Sequence, residues 1–300
     1  YSWTFETPRP RVVSSVPADG ARFADPAADV RVRFNLPVDE DAARGRFAGR
    51  NCRFNDVVQV DDSTLVFQTD RPAPRGESCT LVLEAGFPTP AGPLGMAEDA
   101  EIRFRVRPPL QLQRVDQPGY RRDPRLDPSR GVQLQFSTPV RFGDLREALT
   151  FDPDVTWPSG IESQDANESL SHTLPVRLDA ETRYRLRIDG DLSDTFGQRL
   201  DRTRSVSFET RPYEPQLWMD SGRLTIEAEQ NAVLPLRITN VGGYRVGVTA
   251  LGPDDIIPAL DAYDSSTYYP DVLQEQAADP VPPRRRVSLN LPRNEPSLVP

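Results

Sequence analysis

Few residues in this 300-residue chain are of types that do covalent chemistry. There is one histidine, His172, flanked by Ser171 and Thr173. Nucleophilic catalysis needs a base within hydrogen-bond reach of the nucleophile and a third group to orient the base. The sequence around His172 builds no such set, so a surface or strand-end histidine is expected. Carboxylates pair at Asp61-Asp62, at Asp254-Asp255 and at Glu227 with Glu229. Such pairs do acid–base work when their environments split their pKa values. These fall in turns or on outward strand positions, where solvated charge is expected, and no EF-hand spacing accompanies them. Arginines cluster at Arg121-Arg122 and at Arg284-Arg285-Arg286, without a Gly-rich phosphate loop. The Arg284 run has no interleaved aromatics either. Local ion pairing is expected of both clusters. Tyr263, Tyr268 and Tyr269 sit in a polar stretch and are a candidate interface, since exposed Tyr anchors many protein contacts. The alternative is that these rings pack their own loop.

The two cysteines, Cys52 and Cys79, are 27 positions apart, and neither belongs to a CxxC pair. With the only histidine far from both, a zinc site is not expected. Two buried thiols are one reading. A disulfide closing a loop is the favoured one, and it implies an oxidising compartment. A loop of that length contributes roughly 3 kcal/mol in the chain-entropy account. No cofactor or metal is expected.

Composition sets the remaining bounds. The chain is 37% hydrophobic and 27% charged, enough to build cores, and its length suits two or three domains. Net charge is −9, which argues against non-specific binding to nucleic acid. All 36 basic residues are arginine, which a GC-rich genome accounts for. No apolar run approaches the roughly 18 residues of a membrane span.

The elements that would have to position any site are read from an internal repeat. Phe5-Glu6-Thr7-Pro8-Arg9-Pro10, Phe104-Arg105-Val106-Arg107-Pro108-Pro109 and Phe208-Glu209-Thr210-Arg211-Pro212-Tyr213 each close a strand-like run with a Pro-rich exit. They lie about 100 residues apart, one small β domain per interval. Val30 to Val38 aligns with Val132 to Val140, both alternating apolar and polar residues with period two. The proline after each Phe is expected to end the pairing. Tyr184 to Ile188 and Cys79 to Leu83 are equivalent strands, with Cys79 and Tyr184 at matching core-facing starts. Glu101 to Val106 and Ser205 to Thr210 are the closing strands. Asp39 to Arg46 and Gly143 to Ala148 suit single helical turns. The junction from Arg107 to Leu110 is too short for a flexible tether, so the first two domains should touch.

After Pro212 the pattern changes. Arg223 to Ala228, Val233 to Thr239, Tyr244 to Ala250 and Arg284 to Leu291 are strand-like, and a polar stretch from Asp261 to Pro283 separates the last two. The organisation expected is the end of a preceding module or linker over 1–7, a sandwich over 8–107, a second over 108–211, and a third, truncated one over 212–300. The fold class is all-β, as tandem antiparallel β-sandwiches.

Certain motifs carry a resemblance. Ser15-Val16-Pro17-Ala18-Asp19-Gly20, then Val32 to Val38, and Asp194-Thr195-Phe196-Gly197 through Phe208-Glu209-Thr210 resemble bacterial Ig-like domains over roughly residues 8 to 211. Leu224 to Ala228, Val233 to Val241 and Tyr244-Arg245-Val246 look like the early macroglobulin-type domains of bacterial α2-macroglobulins. That family traps proteases in the periplasm through a cleaved bait region and, in many members, a Cys-x-Glu-Gln thioester. Neither Cys52-Arg53-Phe54-Asn55 nor Cys79-Thr80-Leu81-Val82 matches the thioester motif. The resemblance therefore implies a non-catalytic N-terminal scaffold of a periplasmic protease inhibitor. Its proteases would be met by parts of the protein outside these residues, and an anchor to the membrane would lie elsewhere in the full chain. Its partners here would be neighbouring domains, with no nucleic acid. The alternative is the Ig-like stalk of a surface adhesin or carbohydrate-binding protein.

Overall fold

A computed structural model describes residue 2 and residues 8–117, 124–219, 235–246 and 285–299. The chain divides into two compact units. One comprises Tyr1–Leu126, Arg130–Leu178 and Arg183–Glu209; the other comprises Asp127–Ser129, Asp179–Thr182 and Thr210–Pro300.

The first unit contains two sandwiches, each with its own core. In the first, the strands are β1 (Val12–Val16), β2 (Val30–Phe34), β3 (Phe47–Arg50), β4 (Phe54–Asp61), β5 (Thr64–Thr69), β6 (Ser78–Leu83) and β7 (Ala100–Arg105). One sheet runs β1-β2-β5-β4 and the other β3-β6-β7, all antiparallel. Lettered in chain order, that is ABED against CFG, the seven-strand arrangement of a constant-type immunoglobulin domain. Period two decides which face is buried. Val30, Val32 and Phe34 are at most 2% exposed, while Arg31 and Arg33 between them face solvent. Ile102, Phe104 and Val106 do the same on and just beyond β7. Phe34 stacks on Phe87 with centroids 5.3 Å apart, and Phe47 meets Phe67 edge-on at 5.0 Å. Burying each such ring contributes about 1.5–3 kcal/mol. Between β2 and β3 lies a single helical turn, α1 (Glu40–Ala43). Asp39 caps it, its carboxylate accepting from the backbone N–H of Asp41 at 2.8 Å and Ala42 at 3.1 Å.

The second sandwich repeats the plan with one strand fewer. Its elements are β8 (Leu112–Asp116), β9 (Val132–Arg141), α2 (Phe142–Ala148), β10 (Leu149–Asp152), a 3-10 turn at Ile161–Gln164, β11 (Glu168–Leu174), β12 (Arg183–Ile188) and β13 (Arg204–Glu209). The sheets are β11-β9-β8 and β10-β12-β13, or ABE against CFG. The position of strand D is taken by the 3-10 turn and its flanking loops. The repeat equivalence holds at residue level. Cys79 faces Phe104 across β6 and β7, and Tyr184 faces Phe208 across β12 and β13.

Two details differ from the sequence reading. The proline of Phe136-Ser137-Thr138-Pro139-Val140 does not end its strand, because β9 runs on to Arg141. There β8 has already stopped, its last pair being Leu112 with Phe136. The other neighbour, β11, jumps in register from Val140 to Gln135, so the ladder asks no N–H of Pro139. His172, expected at the surface, is 3% exposed in the core of β11.

The second unit contains β14 (Gln216–Met219), β15 (Leu236–Thr239), β16 (Gly243–Val246), β17 (Arg285–Ser288) and β18 (Ser297–Val299). They form a β14-β15-β18 sheet and a β16-β17 pair. Leu236 and Ile238 are its buried apolar residues among those described. Asn240 and Asn294 lock two turns together: Asn240 donates to the Asn294 side-chain oxygen at 2.9 Å, and Asn294 N–H returns a bond to the Asn240 oxygen at 2.7 Å. Both have φ in the left-handed region, +52° and +60°, which Asn tolerates. The expected strand at Arg223 to Ala228 and the polar stretch from Asp261 to Pro283 lie outside the described residues.

Candidate functional site

The residues singled out for chemistry come to different places. Cys52 and Cys79 are joined by a disulfide with Cα atoms 5.4 Å apart. Cys52 follows β3 and Cys79 lies on β6, so the bridge ties adjacent strands of one sheet, beside the Arg50–Thr80 pair. Gly49 makes the turn possible, since a Cβ there would overlap the Cys52 carbonyl oxygen. Asn51 takes φ +62° to complete it. Where the first sandwich places this sulfur, the second places the Tyr184 ring, stacked on Phe208 at 5.6 Å.

Asp61 sits in the β4–β5 turn, accepting from Ser63 N–H at 2.8 Å and the Ser63 hydroxyl at 3.2 Å. The Ser63 backbone bond holds its carboxyl below the ordinary value. It is a turn carboxylate with its acceptor capacity used locally. The other two acid pairs, the Arg121-Arg122 cluster, Arg284, and Tyr263, Tyr268 and Tyr269 lie outside the described residues. Among the described residues no group of three or more His, Cys, Asp or Glu is placed to hold a metal. No helix there is long and apolar enough to cross a membrane.

His172 donates from Nε2 to the Val140 carbonyl at 2.8 Å and packs against the Phe142 ring at 5.7 Å. Burial lowers its proton affinity, and its bonds to the Val140 and Ser169 backbone only partly offset this. Among the described residues no nucleophile is hydrogen-bonded to it; it is a core group that stitches the bulged end of β9 to β11. The alternation that signals burial is short: His172 and Leu174 share the inward face, and the register shift between Ser169 and Ser171 interrupts the period before them.

The groups that do converge form a joint between the two sandwiches of the first unit. Its central element is the Asp194-Thr195-Phe196-Gly197-Gln198 loop. Asp194 organises it from within: one carboxylate oxygen accepts from the N–H of Phe196 at 2.9 Å and Gln198 at 2.8 Å, and the other from the Gln198 side chain at 2.7 Å. Gly197 at φ +77° closes the turn. The loop thereby presents Phe196 and Gln198 to the first sandwich. The Arg107 guanidinium lies 5.3 Å from the centre of the Phe196 ring, and the Phe23 ring lies 5.8 Å from it. Asp25 holds Arg107 by an ion pair. Gln198 donates to the Pro108 carbonyl at 3.1 Å and accepts from Arg75. Arg107, Pro108 and Gln198 thus tie the exit of one sandwich to a loop of the next.

The receiving half of this joint occurs twice in the sequence. Asp127 and Arg211, both in the second unit, are the repeat equivalents of Asp25 and Arg107, and they are paired at 2.5 Å. Each Asp also accepts from the N–H two residues on, Ala27 at 2.8 Å and Ser129 at 2.9 Å. Burial works to raise the Asp127 carboxyl, but the Ser129 bonds and Arg211 outweigh it and bring it below the ordinary value. Asp194 to Gly197 reads as a turn from the sequence; the cross-domain ring contacts depend on which loops the fold brings together.

No protein-family description matches the chain, and no curated protein matches it. Similar solved structures exist at low identity. A Salmonella alpha-2-macroglobulin mutant matches over 64% of this chain at 16% identity, with a TM-score of 0.44. An Escherichia coli alpha-2-macroglobulin segment spanning domains MG0-NIE-MG1 matches over 63% at 18% identity, TM-score 0.30. The N-terminal part of the bacterial S-layer protein SbsC matches over 68% at 13% identity, TM-score 0.27. The matched part spans 11%, 59% and 44% of those three chains respectively.

Proposed function

We propose that these residues are a non-catalytic spacer, the N-terminal scaffold of a periplasmic, protease-trapping protein of the α2-macroglobulin type. The observation that carries the scaffold reading is the joint: Phe196, Gln198, Arg107 and Pro108 fix one Ig-type sandwich on the next, which is what a spacer of set geometry needs. The disulfide supports an oxidising, extracytoplasmic setting. The protease-trapping part of the reading rests on the macroglobulin-like segments Val233 to Val241 and Tyr244 to Val246. The test is to purify the whole gene product from its host and mix it with a broad-specificity protease. Retention of cleaved product and protease in one complex on gel filtration is expected. A product that leaves proteases free and binds a glycan instead would overturn it in favour of a surface stalk.

A further inference from the structure

The outer faces of the two equivalent sheets are built in opposite ways. In the β3-β6-β7 sheet the central strand presents small residues, Thr80 and Val82, and the flanking strands present the charges. Those charges close over the centre: Glu101 takes Arg50 at 2.7 Å and Arg103 at 3.6 Å, and Arg105 donates to the Gly76 carbonyl at 3.1 Å. Thr80 and Val82 end up 5% and 6% exposed although they face away from the core. This face satisfies itself.

In the β10-β12-β13 sheet the order is inverted. The central strand β12 presents Arg183, Arg185 and Arg187, all exposed, while Tyr184, Leu186 and Ile188 go inward. Their cross-strand neighbours are mostly short: Thr150 and Ser205 flank Arg187, Asp152 and Ser207 flank Arg185, and Glu209 faces Arg183. None of the three arginines is in an ion pair among the described residues. Four of those five neighbours are too short to reach across the row, and Glu209 makes no ion pair with Arg183 among the described residues.

We propose that this arginine row is a docking surface for an extended acidic segment of a partner protein, with Asp or Glu at alternate positions. The spacing carries the choice of partner. Alternate residues of a strand lie about 6.6–6.8 Å apart, so the carboxylates of an extended peptide match the three guanidinium groups one to one. Each pair can be a charge-assisted, bidentate contact, with hydroxyls of Thr150, Ser205 and Ser207 beside it for the peptide's remaining acceptors. A nucleic acid fits less well, because the strands of this face present no aromatic ring for base stacking.

The test uses the full 300-residue chain and fluorescence anisotropy of a short labelled peptide that alternates Glu and Thr. Saturable binding that weakens with added salt is expected, and a peptide of the same composition with its Glu residues in one block should bind more weakly. Arg185→Ser should weaken binding about tenfold, while Arg31→Ser with Arg33→Ser on the first sandwich should leave it unchanged. Absence of saturable binding would overturn the proposal, as would equal loss from the first-sandwich pair. Tighter binding of oligodeoxythymidylate or polygalacturonate than of the peptide would also overturn it, replacing the peptide with another polyanion.

Discussion

The two sandwiches of the first unit share a plan and differ in how each is finished. The first has strand D, a disulfide and a self-paired outer CFG face. The second lacks the strand and the bridge, and holds Tyr184 on Phe208 where the first holds Cys79 against Phe104. It also carries a buried histidine and an open row of arginines. The repeated phrase thus specifies strand register and core, which both copies keep. Covalent bracing, edge treatment and surface charge are set separately in each copy.

The largest expected effect falls where the copies agree. Phe34→Ala and Phe136→Ala remove equivalent core rings, 2% and 1% exposed, and each should cost about 3–5 kcal/mol by denaturant unfolding. A loss confined to one copy would break the equivalence. Next comes the bracing. Replacing Cys52 and Cys79 together by Ala should cost about 2–4 kcal/mol, and the protection of β3 and β6 amides in hydrogen exchange should fall while that of β12 holds. Equal loss in both sandwiches would contradict independent bracing.

The histidine gives a smaller, pH-dependent contrast. His172 has a lowered proton affinity in the fold, so the unfolded chain binds its proton more readily. Stability from this group is full above its ordinary pKa of 6.5 and is lost as pH falls below it, the slope fading once pH drops under the folded value. The β11 and β9 amides should lose protection over that range, while the first sandwich, which has no histidine, should not. His172→Gln should flatten the response. The smallest effect concerns Thr138, fully buried with a hydroxyl that has no hydrogen-bond partner among the described residues. Thr138→Val should be neutral or stabilising by about 1 kcal/mol in thermal unfolding.

Much of this architecture is legible in the residues. Alternation in Val30 to Phe34, Ala100 to Arg105 and Arg183 to Ile188 marks strands and their buried faces, because one face must meet a core. Asp39 and the apolar Ala43 suffice to mark a helical turn. What escapes the sequence depends on neighbours. Pro139 reads as a stop until β8 is seen to end first. His172 reads as polar until Leu174 is seen to share its buried face, the register shift before Ser171 having cut the alternation short. The strands β14 and β18 are short and exposed, so they lack a strong pattern. The joint is hidden for the same reason: Asp194 to Gly197 signals a turn, but Phe196 finds Phe23 and Arg107 only through the packing of two domains. The openness of the arginine row likewise depends on the residues opposite it, not on β12 itself.

The joint of Phe196, Gln198, Arg107 and Pro108 holds the two sandwiches in one fixed arrangement. It is tested most directly by double electron–electron resonance between spin-label amino acids placed at Arg31 and Gln135, outward positions on β2 and β9. A single narrow distance distribution is expected, broadening when Phe196→Ala and Gln198→Ala are combined. A broad distribution in the unmodified joint would contradict the claim.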